Sequence, residues 1–251
     1  MGRGDQERRH QGRLTMNNGS PQLFLLSGGA AYGLVCGLEA RFAQESGYRI
    51  AGTFSAVGAM REQLLAGAAC DVLILTAALV AGLQDSGHVV AGSARALGAV
   101  KTGIAVKAGD PLPAVGTPGE LRQALLAARG IYFPDPLKAT AGIHFMGLIR
   151  ELGIEAQLSD RLRPFPNGAS AMSAMAQAGE AGLLGCTQCT EILYTPGISL
   201  VAALPREFEL ATVYTAGVSA SAASAQAATA LVALLAGPQA AALRRAGGFE
   251  D

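Results

Sequence analysis

The stretch from residue 23 to residue 45 constrains this chain more than any other, because its hydrophobic period changes across three small residues. Leu23-Phe24-Leu25-Leu26 is a short continuous apolar run, the pattern of a strand buried on both faces of a parallel sheet, and it breaks at Ser27-Gly28-Gly29. Beyond the break Leu34, Leu38 and Phe42 recur every four residues with Val35 beside them, so residues 30–46 read as a helix with one apolar face and Gly47 as its stop. A strand that turns through Ser-Gly-Gly into a helix leaves backbone N–H groups free at the positive end of the helix dipole, with no bulky side chain in front of them. Such a turn is the size of an anion. Taken singly it is weak evidence, since small residues there serve the turn itself, but the chain repeats the device.

Residues 48–54 read as a second strand ending in Ser55-Ala56-Val57-Gly58, followed by a helix carrying Met60, Leu64 and Leu65. Residues 71–76 form a third apolar run with Thr76 at its carboxyl end, and residues 77–86 a short helix stopped by Gly87. Residues 99–107 make a long extended segment closed by Gly109-Asp110-Pro111 and Pro113, which is expected to cross between two lobes. Thr117-Pro118-Gly119-Glu120 is a capping box with proline at the first helical position, and it opens a helix through Leu121, Leu125 and Ala128. Residues 131–133 are a strand, after which the loop from Asp135 to Gly142 leads into a helix with Ile143, Met146, Ile149 and Leu152 on one face and Thr140 as its expected cap. Lys138 in that loop reads equally as a ligand contact or as a solvated surface lysine, and His144 as a helix-surface or half-buried residue.

Asn167-Gly168-Ala169-Ser170 precedes a further helix whose Met172 and Met175 read as core. Residues 182–185 form a short strand, Cys186-Thr187-Gln188 its turn, and residues 189–194 a helix ended before Pro196. Residues 198–202 and 211–219 are strands, the second long enough for a return crossing, and residues 222–236 and 239–246 are closing helices split at Gly237-Pro238. Strands alternating with helices imply a mostly parallel α/β sheet, and ligands bind outside the carboxyl ends of such strands. Turns at Ser27, Ser55, Thr140 and Thr187 each set a hydroxyl and free amides at such an end, and they come from both halves of the chain.

Lys and Arg balance Asp and Glu at 19 each, so nothing in the charge points to nucleic acid or an anionic membrane surface. No continuous apolar run is long enough for insertion in a membrane. Residues 1–20 are polar and rich in arginine, so they read as disordered and not as a signal peptide, and Arg8-Arg9 lacks the apolar stretch that a twin-arginine signal needs. Of the cysteines, Cys36 and Cys70 read as buried thiols. Cys186 and Cys189 have C-x-x-C spacing without the second pair a zinc site needs, which leaves a structural role or, less simply, a redox pair. No metal site and no cofactor are expected.

The order and spacing of these features resemble the periplasmic molybdate-binding protein family, solute receptors of ABC importers, from about residue 22 to residue 249. The resemblance rests on Ser27-Gly28-Gly29 after the first strand, Phe54-Ser55 with Gly58, Cys70-Asp71-Val72 leading to Thr76, Asp135-Pro136 with residues 139–142, and the strand through Val213-Tyr214. It implies a type II periplasmic-binding-protein fold of two lobes, each a mostly parallel sheet flanked by helices, joined by two crossing strands. The first lobe is expected at residues 21–100 with 213–251, the second at 101–212. In that family serine hydroxyls and helix N-terminal amides hold an oxyanion in the cleft. Carried onto this chain, the ligand-binding positions are Ser27, Gly28, Gly29, Ser55, Gly58, Thr76, Lys138, Ala139, Thr140, Thr187 and Gln188.

Two departures bear on the ligand. Molybdate binders of the family tend to have tyrosine where this chain has Cys186-Thr187-Gln188, and Ser-Leu or Ser-Ser where it has Gly28-Gly29. The stretch from Gly185 to Pro196, with Thr190-Glu191-Ile192-Leu193, is closer to a branch that resembles aconitate isomerase. The expected function is capture of a small anion, a molybdate-like oxyanion or small carboxylate, by a monomer that serves an ABC permease. The alternative is an isomerase moving a double bond in an unsaturated di- or tricarboxylate, with Asp135, Lys138 and His144 as candidates for its base. The resemblance implies the periplasm, and the lack of a signal peptide leaves the cytoplasm open.

Overall fold

The computed structural model describes residues 20–250, so the expectation for the first twenty residues lies, Ser20 apart, outside the described residues. The first part of the chain runs β1 (Gln22–Gly28), α1 (Tyr32–Ser46), β2 (Arg49–Ser55), α2 (Val57–Leu65), β3 (Val72–Thr76), α3 (Ala77–Asp85) and β4 (Arg95–Lys107). It continues with α4 (Pro118–Ala127), β5 (Gly130–Pro134), α5 (Thr140–Glu151), α6 (Glu155–Leu158), β6 (Leu162–Phe165), α7 (Gly168–Gln177), β7 (Leu183–Gln188) and α8 (Cys189–Tyr194). β8 (Ile198–Ala203), β9 (Ala211–Val218), α9 (Ala225–Ala236) and α10 (Ala241–Ala246) close it. Short 3-10 turns at Gly29–Ala31, Arg206–Phe208 and Pro238–Ala240 lead into or link these elements.

The strands follow the order β2-β1-β3-β9-β4-β7-β5-β6, with β8 also on β4. β1 is parallel to β2 and β3, and β5 is parallel to β6 and β7, which makes the two parallel halves. Between them β4 and β9 run antiparallel to each other, one carrying the chain out of the first lobe and the other bringing it back. Each half has its own apolar core. Leu25, Leu73, Ile74 and Leu231 belong to one, and Ile104, Leu121, Phe133 and Ile149 to the other. This is the two-lobed α/β architecture expected, and it places the carboxyl ends of β1, β2, β5 and β7 so that their turns face one another across the crossing strands.

Local chemistry explains the elements. The Thr117–Glu120 capping box forms in full with Pro118 as first helical residue, and Gly47 ends α1 at φ 77°, a conformation that costs glycine nothing. Buried Asp71 fastens the first lobe, since its carboxylate accepts from the Phe24 amide at 2.8 Å and the Ser224 amide at 3.1 Å, joining β1 to the approach to α9. Several expectations need correction. β6 has no counterpart in the sequence reading, because Leu-Arg-Pro-Phe lacks alternation and its proline is tolerated only on an edge strand, which β6 is. β4 starts earlier than expected, with a register shift between Ala96 and Gly98 where Gly98 has φ 132°. β7 continues through Cys186, Thr187 and Gln188, so these are the end of a strand and not a turn. Thr140 is the first helical residue of α5 and Ala139 its cap, because Asp135 instead accepts from the amides of Leu137 and Lys138. Cys36, expected to be buried, is exposed on the outer face of α1.

Close packing of α5 on the loop before it yields a stability prediction. A Cβ on Gly142 would overlap the carbonyl oxygens of Pro134 and Asp135, whereas one on Gly147 of the same helix would meet nothing within 4 Å. Gly142→Ala is expected to destabilise the fold by about 1–3 kcal/mol in denaturant melts. Gly147→Ala is expected to leave it unchanged or raise it by about 0.5–1 kcal/mol.

Candidate functional site

Four helical starts converge on one cavity between the lobes. From the first lobe come Gly29, opening the 3-10 turn before α1, and Ala56-Val57, opening α2. From the second come Ala139-Thr140-Ala141 at α5 and Gln188 before α8. None of these four starts has a side-chain cap; the Gly58 amide of α2 is taken by the Lys138 carbonyl and the Gln188 amide by the Glu191 carboxyl, which leaves the opening amides at Gly29, Val57, Thr140 and Ala141 for a ligand. Asn167 and Gly168, at the start of α7, complete that wall, but there Asn167 caps the helix by accepting from the Ser170 amide at 2.8 Å. The cavity is small, about 20 Å³, and is also lined by Pro134, Thr187, Glu191 and Tyr214. No lysine, arginine or histidine lines it.

The lobes are closed around this space. Asn167 Nδ2 donates to Ser55 Oγ at 3.4 Å, the Gly58 amide to the Lys138 carbonyl at 3.2 Å, and the Tyr194 hydroxyl to the Gly29 carbonyl at 3.2 Å. Lys138 Nζ reaches across to Glu62 at 2.8 Å. Beside the cavity, and sharing Gly29 and Asn167 with it, lies an open groove of about 450 Å³ faced by Tyr32, Phe54 and Tyr194, whose rings lie 5.0–5.1 Å apart around Tyr32.

Sequence reasoning missed Asn167 and Tyr214 of this wall and, most consequentially, Glu191. It is fully buried and hydrogen-bonded by the Thr187 hydroxyl, with its carboxyl against the backbones of both Gly29 and Gly168: a Cβ at either glycine would overlap it. Burial raises its pKa from 4.5 to about 7, against the pull of Thr187 and of the amides of Ala169 and Gln188. A signal was present, because Gln188-x-x-Glu191 has the spacing of a helix cap and the acid three residues into the helix, directly after a strand.

The structure brings Gly29, Ser55, Ala139, Thr140, Thr187 and Gln188 together in the cavity wall. It places the other expected positions elsewhere. Ser27 is buried in β1 and donates to the neighbouring Gly28 carbonyl, while Gly28 packs toward Val57 and Tyr214. Gly58 is the second residue of α2 and packs against Lys138, whose carbonyl takes its amide, and Thr76 caps α3 by accepting from the Leu79 amide at 3.4 Å. Lys138 is exposed at the surface with Glu62, which raises its pKa and keeps it charged. Of the candidate bases, His144 Nε2 lies 2.8 Å from the Phe208 carbonyl and Asp135 is occupied with its own turn, so neither lines the cavity. Cys186 and Cys189 are free and buried, and burial lifts both thiols, that of Cys189 to about 11, which is the reverse of a redox-active thiolate. Among the described residues no cluster of three or more metal-ligating side chains occurs, and no single helix is long and apolar enough to cross a membrane.

The family model for bacterial extracellular solute-binding protein matches residues 23–250. No curated protein matches the chain in sequence. Among solved structures, the Azotobacter vinelandii periplasmic molybdate-binding protein is similar over 90% of this chain and 98% of its own, at 22% identity and a TM-score of 0.75. The sulfate-binding protein SubI from Mycobacterium tuberculosis H37Rv is similar over 91% and 86%, at 16% identity and a TM-score of 0.72. Peb3 from Campylobacter jejuni is similar over 91% and 99%, at 12% identity and a TM-score of 0.63. At these identities the likeness is one of fold.

Glu191 yields a pH prediction for the ligand-free protein. Its folded pKa lies above its unfolded value, so its contribution is fully present below pH 4.5 and is lost as pH rises toward about 7. A shift of this size corresponds to about 3 kcal/mol. Denaturant melts at pH 5 and pH 8 are therefore expected to show a loss on going to the higher pH that is smaller in Glu191→Gln by up to about 3 kcal/mol.

Proposed function

Since the chain belongs to the bacterial extracellular solute-binding proteins, we propose that it works outside the cytoplasmic membrane, captures a small oxyanion or carboxylate between its lobes and presents it to an ABC-type permease. The observation that carries this reading is the convergence of uncapped helix starts from both lobes on a cavity without a cationic side chain. Several neutral donors aided by helix dipoles hold an anion well and release it when the lobes separate. The molybdate- and sulfate-binding proteins that share the fold add support for an oxyanion.

A second reading, isomerisation of an unsaturated di- or tricarboxylate, draws on Glu191, a buried carboxyl with a pKa of about 7 facing the cavity, which is the kind of base such chemistry needs. Against it stands the lack of a cation for a second or third carboxylate, because Lys138 pairs with Glu62 at the surface. Incubation with trans-aconitate in deuterated water, followed by proton NMR, separates the readings. An unchanged spectrum is expected.

Thermal-shift screening against molybdate, tungstate, sulfate, phosphate, citrate and both aconitates tests the receptor reading. A ligand at one hundred times its Kd adds about 2.7 kcal/mol, a rise of roughly 5–10 °C for a chain of this size. No shift with any anion would end the reading. For the anion that binds, Ser55→Ala is expected to cost about 1.5–3 kcal/mol of affinity by calorimetry, and Lys138→Ala to leave affinity nearly unchanged, as befits an exposed pair.

A further inference from the structure

Two buried groups in the wall of the cavity do not suit a ligand made only of acceptor oxygens. Gln188 is 3% exposed, and neither its side-chain nitrogen nor its side-chain oxygen has a hydrogen-bond partner. An unpaired buried amide of this kind costs free energy unless a ligand completes it. Its nitrogen needs an acceptor and its oxygen needs a donor. Glu191 adds a second acceptor in the same wall, held by the Thr187 hydroxyl and wedged between the backbones of Gly29 and Gly168, with no cation to offset it.

A sulfate-like dianion satisfies the free helix amides and the Gln188 nitrogen. It leaves the Gln188 oxygen without a donor, however, and sets a charged oxygen beside the Glu191 carboxyl. An anion that carries an O–H close to its charged oxygens meets every requirement, with its charged oxygens on the amides and its O–H directed to Gln188 or Glu191.

We propose that this site selects anions bearing their own proton donor, the hydrogen phosphate or α-hydroxycarboxylate type, over sulfate- and molybdate-type ions that have none, and that Gln188 and Glu191 set this selectivity. The inference rests on the oxyanion reading above and narrows it. The titratable groups facing Glu191 are Tyr194 on its own helix and Tyr214 on β9, and burial raises the pKa of both, so each stays neutral. Glu191 is therefore the group in this wall that changes charge near neutrality. Above pH 7 it only accepts, and below it the protonated carboxyl itself donates, so discrimination is expected to be stronger at pH 8 than at pH 6.

Calorimetric titration with two matched pairs, inorganic phosphate against sulfate and glycolate against acetate, together with molybdate, tests the proposal. At pH 8 the donor-bearing member is expected to bind at least tenfold more tightly in one pair, and that pair identifies the source of the donor. Glu191→Gln, whose amide both donates and accepts, is expected to bring the ratio within threefold and, in the glycolate–acetate pair, whose members do not titrate between pH 6 and pH 8, to remove its pH dependence. Gln188→Ala is expected to reduce it as well, which keeps the test open if one variant does not fold. Sulfate or molybdate matching phosphate, with acetate matching glycolate, overturns the selectivity while leaving the oxyanion reading standing. Binding of none of the five by folded protein overturns both.

Discussion

Backbone N–H groups at the starts of helices from both lobes, left without side-chain caps and turned toward one point, are the constraint on which the rest of this structure depends. An uncapped helix start is unsatisfied unless water or a ligand reaches it, and here Gly29, Val57 and Thr140 open such starts around a single cavity. The protein supplies one internal anion of its own. The Glu191 carboxyl stands among these starts, and its raised pKa shows that neutral donors hold it less well than water does. The site therefore combines an attraction for negative charge with a group that penalises too much of it.

The sheet puts these starts in place. In each half the parallel strands point their carboxyl ends the same way, and the antiparallel pair β4 and β9 turns the halves so that those ends meet. Tyr214 belongs to a crossing strand and to the cavity wall at once, so the link between the lobes and the site share a residue. The hydrogen bonds across the cleft are single ones, such as Asn167 to Ser55 and Tyr194 to Gly29, and they stand beside the Lys138–Glu62 ion pair and the packing of Tyr194 on Tyr32. The individual worth of these hydrogen bonds is about 1 kcal/mol, which suits lobes that separate and close.

Much of this was legible in the sequence, because the fold is written in changes of period. Four apolar residues, three small ones and an i, i+4 stripe identify β1 and α1, and the same device recurs at β2 with α2. The site was legible where small residues follow a strand, hence Gly29, Ser55, Ala139 and Thr140. It was obscure where a residue reaches the cavity by tertiary packing alone. Glu191 reads as an ordinary helix-start acid until α7 closes over it, and Tyr214 and Asn167 are contributed by strands and turns distant in sequence. Lys138 shows the opposite case, a charged residue beside the seat in sequence that extends to Glu62 at the surface.

The central claim, that helix-start amides of both lobes hold the anion, is tested most directly by amide NMR during titration with an anion that raises the melting temperature. The account predicts that the amides of Gly29 and Val57 from the first lobe and of Thr140 and Ala141 from the second shift downfield together along one binding curve. Shifts confined to one lobe, or centred on residues away from these helix starts, would contradict it.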